Sequence, residues 1–304
     1  MIMNAAAVVI PIVPAIQIRR ILYATDFSEA SGAVLPLVSA IARHYGSQVY
    51  VANIWSPLPY SMVTPEAVST LEKRQESEAQ AKAKELLATT QLAGLSATVI
   101  VQPGDPVEEL NRVVREQNID LAVLSTHGRT GGKHLVMGSV AEDLFRNLPC
   151  PVLTIGPCFS KWYSDKGEIK TILFPTDLSE ESRSVFPYLP SIASEYKSDL
   201  TLVHVLPEEA GTNPDARRLA EPLRKEMEAV FSPQISPRCR ASFLIEFGDP
   251  AKCVLSLAQR PNVDLIGMGV RKAVAISTHF RNTIAYRVVL GADCLVLTCR
   301  SVQK

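Results

Sequence analysis

IDLAVLSTHGRTGGKHLVMGSVAEDLFRNLPCPVLTI, residues 119–155, is the stretch from which the architecture of this chain can be read. Its apolar run from Leu121 to Leu124 reads as a buried strand, ending in a loop that holds Ser125, Gly128, Gly131 and Gly132. Nine residues separate Gly128 from the pair Gly138-Ser139, which opens an amphipathic helix with Val140, Leu144 and Phe145 on its apolar face. CPVLTI then supplies a second apolar strand. Glycines let a backbone approach a ligand closely, the amides at a helix start point outward, and the helix dipole favours an anion there, so the loop has the makings of a phosphate site. A second account stays open. Gly138 can serve as a turn residue and Ser139 as an N-cap, because Ser139 and Glu142 spell the S-x-x-E capping box.

Working outward, the chain alternates strand and helix. RRILYAT (19–25) is a short apolar strand, followed by Asp26-Phe27-Ser28-Glu29 with Ser28 as an N-cap, and a helix of period 3.6 runs to Tyr45 and stops at Gly46. The strand QVYVANIW, a long polar helix from Pro65 to Leu92, the strand ATVIVQ, the turn Gly104-Asp105-Pro106 and another helix lead back to residue 119. Such alternation predicts an open parallel sheet with helices on both faces.

The same series then recurs. KTILFPTDLSEESRS (170–184) repeats RRILYATDFSEASGA (19–33) and DLTLVHVLP repeats QVYVANIWS, both at an offset of 151 residues. FGDPAKCVL, VDLIGMG and CLVLTC repeat PGDPVEELN, IDLAVLS and CPVLTI at an offset of 144. Two copies of one domain are therefore expected, over 19–156 and 169–304, joined by a linker at 157–168 and preceded by an extension, residues 1–18. At 304 residues the length suits two domains of about 150 residues each.

Composition narrows the function. Basic and acidic residues balance at 31 each, so there is no global basic field for nucleic acid. Six cysteines are scattered without a CxxC pair or a histidine at metal spacing, which reads as reduced thiols in a cytoplasmic protein. The apolar N-terminus lacks a basic n-region and carries Pro11 and Pro14, unlike an export signal, and no stretch reaches the roughly 18 apolar residues of a membrane span.

With repeat and loop in hand, the sequence resembles the universal stress protein family in its tandem form. Members that bind ATP carry G-x-x-G-x9-G-[ST] after the fourth strand and an aspartate after the first. Here the first copy reads Ser125-x-x-Gly128, nine residues, then Gly138-Ser139, with Asp26 in place. The resemblance implies two Rossmann-like domains of the adenine nucleotide alpha-hydrolase type, each a five-stranded parallel sheet, related by an internal pseudo-two-fold. It implies ATP, or ADP or AMP, with Mg²⁺ as an accompanying ion. The adenine would lie near Ala24, Thr25 and Ile54, Asp26 would accept from the nucleoside, and Leu124, Ser125 and Gly128 would line ribose and phosphates. Gly138, Ser139 and Val140 would offer the helix start to the phosphate tail, with Arg129, Lys133 and His134 in the intervening span. A bland role for Asp26, as a loop carboxylate near the first helix, stays open.

The second copy departs from the pattern. It reads Gly269-x-x-Lys272, nine residues, then Asn282-Thr283, with Asp177 matching Asp26, so a degenerate second site is expected. Resemblance to single-domain members, which pair through their last strands, implies that CPVLTI and CLVLTC pair antiparallel within the chain, a homodimer of chains being a further option and the protein partner unknown.

Competing motifs fail. GRTGGKH leaves only three residues between Gly128 and Gly132 and puts His134 where a Walker loop needs Ser or Thr, while GMGVRK ends a dinucleotide fingerprint with lysine. The repeated Gly-Asp-Pro turns at 104–106 and 248–250 read as architecture: glycine for the turn, aspartate as N-cap, proline at the first helical position. No catalytic motif is visible among the five dispersed histidines. The sequence therefore predicts an ATP-binding regulatory or protective stress-response protein with at most slow hydrolysis. Two alternatives are weighed against it. One is an ATP-cleaving or adenylyl-transferring enzyme, which would want a glycine-rich loop where Thr25-Asp26-Phe27-Ser28-Glu29 stands. The other is an interaction module that binds no nucleotide.

Overall fold

The computed structural model describes residues 16–57, 65–126, 137–156, 168–212, 214–237, 239–259, 263–270 and 283–300. The N-terminal residues 1–15, the glycine loop from 127 to 136 and the linker 157–167 lie outside them.

The first copy supplies β1 (Arg20–Ala24), α1 (Glu29–Gly32), α2 (Leu35–Tyr45), β2 (Gln48–Trp55), α3 (Pro65–Leu87), β3 (Ala97–Pro103), α4 (Pro106–Glu116), β4 (Leu121–Ser125), α5 (Ser139–Asn147) and β5 (Val152–Ile155). The second supplies β6 (Thr171–Pro175), α6 (Glu180–Arg183), α7 (Tyr188–Tyr196), β7 (Asp199–Leu206), α8 (Glu208–Thr212), α9 (Pro214–Phe231), β8 (Ala241–Phe247), α10 (Pro250–Ala258), β9 (Leu265–Val270), α11 (Ile284–Gly291) and β10 (Leu295–Arg300). All ten strands form one sheet in the order β3-β2-β1-β4-β5-β10-β9-β6-β7-β8, a palindrome about its middle. Within each half every pairing is parallel, and β4 and β5 are buried on both faces, as strands covered by helices must be.

The halves join where two sheet edges would otherwise be exposed. β5 and β10 pair antiparallel, with Leu153 opposite Leu297, and these two positions are equivalent by the repeat, so the pseudo-axis passes between them. Thr154 Oγ1 donates to the Val296 carbonyl and Thr298 Oγ1 to the Val152 carbonyl, each at 3.2 Å, one bond the mirror of the other through that axis. One apolar cluster runs across the seam, taking Val38 and Leu153 from one copy and Ile192 and Leu297 from the other. On the opposite face each copy keeps its own cluster, around Leu110 and Leu144 or around Val254 and Val288, although Met137 and Phe145 join the second copy's group.

Local chemistry explains the boundaries. Ser28 caps α1 by accepting from the Ser31 amide, and α2 ends at Gly46 in the left-handed region, φ 66°. The single helix expected up to Tyr45 is broken between Gly32 and Leu35. Likewise the long polar helix stops at Leu87, its expected tail to Leu92 being turns. Gly104 and Gly248 sit at φ 148° and 137°, where a side chain is strained, and Asp105 and Asp249 accept from the first-turn amides of α4 and α10. The Gly-Asp-Pro turns are architectural, as their sequence suggested.

Candidate functional site

In the first copy the chain runs from β1 outward to β2 and β3, then returns to place β4 on the other side of β1. That reversal leaves a crevice beyond the carboxyl ends of β1 and β4, the place where open α/β sheets bind ligands. The register pairs Tyr23 with Val123, so Thr25 and Ser125 face each other two residues further on, at the crevice mouth.

The floor on the β1 side is firmly built. The Thr25 amide donates to the Ala52 carbonyl at 2.9 Å, the Thr25 carbonyl accepts from Asn53 Nδ2 at 2.8 Å, and Thr25 Oγ1 bonds Ser31 Oγ at 2.9 Å. With both backbone groups committed, Thr25 shapes the wall and offers no hydrogen bond of its own backbone. Next to it Phe27 adopts φ 58°, an uncommon conformation for a bulky side chain, and Leu178 repeats it at φ 64° in the second copy. This turn lets Thr25 Oγ1 accept from the Phe27 amide and Asp26 Oδ1 from the Ser28 amide, each at 3.0 Å, so the Asp26 carboxylate is held by its own loop. Ala24 and Ile54 lie half-buried at the rim, packed on the apolar cluster that includes Leu22, Ala52 and Leu124. They form a low apolar shelf beside a carboxylate.

The β4 side ends in an anchored loop base. Thr126 is fully buried, its amide and hydroxyl both reach the Ile155 carbonyl at 3.2 Å, and its own carbonyl accepts from the Gly138 amide at 3.0 Å. The start of α5 is thereby fixed directly beyond the end of β4. Here the structure corrects one reading: Gly138, not Ser139, is the N-cap, so the capping box is not formed and Ser139 is the first helical residue. Among the described residues no side chain caps α5. Gly138 has φ −61° and ψ 145°, which any residue adopts, and among the described residues a Cβ there would meet only the Thr126 carbonyl, at 3.9 Å. Neither conformation nor packing among those residues demands a glycine. Among the described residues Gly138, Ser139 and Val140 thus present a helix N-terminus with no side-chain cap, Ser139 and Val140 being exposed. Gly128, Arg129, Lys133 and His134 lie outside the described residues.

The second copy differs at the matching points. Thr283, the counterpart of Ser139, caps α11 by accepting from the Tyr286 amide, whereas the N-cap of α5 is Gly138, which has no side chain to do so. Gly269, the counterpart of Ser125, lies under α6: a Cβ at 269 would stand 1.8 Å from the Glu181 carbonyl oxygen. Asp177 repeats the turn of Asp26, its Oδ1 accepting from the Ser179 amide at 3.0 Å, and His204 Nδ1 stands 2.8 Å from the Thr176 carbonyl in place of the Asn53 contact. Lys272 and Asn282 lie outside the described residues.

Asn53 and Thr126 were not singled out from the sequence. Asn53 could have been, as a polar residue near the end of an otherwise apolar strand; Thr126 carries no such signal. Among the described residues no group of three His, Cys, Asp or Glu side chains could hold a metal ion, and no helix is long and apolar enough to cross a membrane.

A duplicated, doubly wound sheet whose halves join through their last strands defines a class of tandem α/β proteins. The model of the universal stress protein family matches residues 17–156 and again 168–300, and the chain belongs to that family. A universal stress protein of Methanocaldococcus jannaschii is 28% identical over 141 residues, which is 45% of this chain and 81% of that protein. Among solved structures, a universal stress protein from Archaeoglobus fulgidus superposes over 94% of this chain and 99% of its own, with a TM-score of 0.69 at 19% identity. One from Pseudomonas aeruginosa gives 0.61 at 18% identity over 93% of each chain. At such identities the superpositions speak for the fold alone.

Proposed function

We propose that the chain is an adenine-nucleotide-binding stress-response protein whose first copy holds ATP, or ADP or AMP, and whose output is a change of conformation or partner with at most slow hydrolysis. The observation that supports this most strongly is Gly138: a glycine that backbone and described packing leave unexplained, at an uncapped helix start. A phosphate oxygen would take the place that a side-chain cap takes elsewhere, receiving the α5 amides and the positive end of the dipole. Ala24 and Ile54 give an adenine ring an apolar shelf, and the Asp26 carboxylate suits an amino or ribose hydroxyl donor. Leu124 and Ser125 would line the ribose, with Gly128 closing on the phosphates from the loop. Mg²⁺ would arrive with the nucleotide.

In the second copy, the Thr283 cap and the close approach of α6 to Gly269 leave less room, supporting one nucleotide per chain. Thermal unfolding with and without saturating ATP tests the proposal. ATP should raise the midpoint, by about 2.7 kcal/mol of linkage at a hundredfold excess over Kd. Gly138→Asp should abolish that rise by setting a carboxylate against the phosphates, and no rise in the parent protein with ATP, ADP or AMP would refute the proposal.

A further inference from the structure

The last turns of α2 and α7 meet at the pseudo-axis, and what they place there is unequal. His44 and Glu195 occupy equivalent positions of the two copies, 151 residues apart, as do Tyr45 and Tyr196. His44 Nε2 lies 2.7 Å from Glu195 Oε1, Tyr45 donates its hydroxyl to Glu195 Oε2 at 2.7 Å, and the His44 ring stacks on Tyr196 with centroids 4.7 Å apart. Burial, with the hydrogen bond to Glu195 and its charge, pushes the Tyr45 hydroxyl far above its ordinary value, so it stays a donor.

Two other contacts between the copies are one-sided, the Ile16 amide donating to Ser191 Oγ at 2.8 Å and Arg300 Nη1 to the Asn147 carbonyl at 3.1 Å, where the counterparts of Ser191 and Arg300 are Ala40 and Gly156, but much of the seam is paired. Beneath these side chains lies a small apolar cavity of about 50 Å³ whose walls include equivalent pairs, Ile41 with Ile192 and Ile18 with Ile169, beside an unequal one, Leu37 with Tyr188. Leu153 faces Leu297, and the Thr154 and Thr298 hydroxyls make the same bond in both directions. A surface with this self-complementarity would accept a like copy from another chain as readily as the unlike copy in its own. His44 and Glu195 break that equivalence. Two second copies face to face would oppose two carboxylates, and two first copies would leave the half-buried Tyr45 hydroxyl without its acceptor, both of which disfavour the like pairing.

We propose that His44 and Glu195 are a pairing selector, differentiated after duplication so that each half takes the unlike half as its partner and the β5–β10 seam is closed to like-with-like pairing between chains. The role is independent of any ligand. It is tested in the full chain with His44→Glu, Glu195→His and the exchanged pair carrying both. Each single variant should lower the unfolding midpoint, by about 2–4 °C for His44→Glu, while the exchanged pair returns to within about 1 °C of the parent. The two single variants complement one another between chains, so refolding them together should give a mixed dimer, by sedimentation, that neither gives alone. An exchanged pair no more stable than the two singles summed, or a mixture with no more dimer than its components, would overturn the proposal.

Discussion

Gly138 shows how much a single position can be asked to explain. Its backbone is ordinary and its Cβ position is open among the described residues, so Gly138→Asp can fold without displacing anything there. Aspartate is a better N-cap than glycine by only a few tenths of a kcal/mol. The ligand-free variant should therefore unfold within about 1 °C of the parent while losing the response to nucleotide; a large loss of ligand-free stability by circular dichroism would mean that Gly138 is structural. The crevice residues were legible unevenly. Gly138 was read from the glycine loop and the helix start, while Asp26 and Ile54 came from the family resemblance; Asp26 follows β1, Ile54 ends β2 and Gly138 opens α5. The N-cap reading of Ser139 failed because S-x-x-E is a local rule, whereas the start of α5 is fixed by the Gly138 amide reaching Thr126, a contact closed across a loop. Asn53 escaped notice for a similar reason, since its partner Thr25 lies 28 residues away.

The helices that close the two crevices show what divergence did to duplicated elements. In the second copy Arg287 of α11 donates through both terminal nitrogens to Asp249, the cap of α10, at 2.8 and 2.9 Å, whereas the equivalent positions of the first copy carry two acids, Asp143 and Asp105. α11 is thus tied to its neighbour by a bidentate pair that α5 lacks. The bonds from Arg287 foremost, then the Lys252 amide, hold the Asp249 carboxyl down at about 2, below its ordinary 3.8. A carboxyl lowered on folding contributes stability above its unfolded value and loses it as pH falls toward its folded one. The parent should accordingly be more stable than Arg287→Gln at neutral pH, with the gap narrowing between about pH 5 and pH 2. A gap independent of pH in urea titrations would mean the pair contributes through packing alone. Alternation of strand and helix made the elements legible, and the repeat fixed their number. The break before Leu35 and the early end of α3 were not, because both segments keep helical residue types through the point where packing turns the chain.

On the scale of the whole molecule, ten strands and a shared apolar cluster make one cooperative body of two copies. Calorimetry should give a single unfolding transition, coincident with circular dichroism, and two resolved transitions would show that the seam is weaker than its burial implies. The palindromic strand order covers one edge of each copy, and the pairing of the last strands was expected before any coordinates from the resemblance to single-domain members that pair through theirs. The proposed preference for the first copy was expected from Lys272 and Asn282 in the second, and the Thr283 cap and the close approach of α6 to Gly269 add to that reading. Isothermal titration of the full chain with ATP tests this most directly. The account predicts one nucleotide per chain, lost in Gly138→Asp; two equivalent sites, none, or a Gly138→Asp chain that still binds one would contradict it.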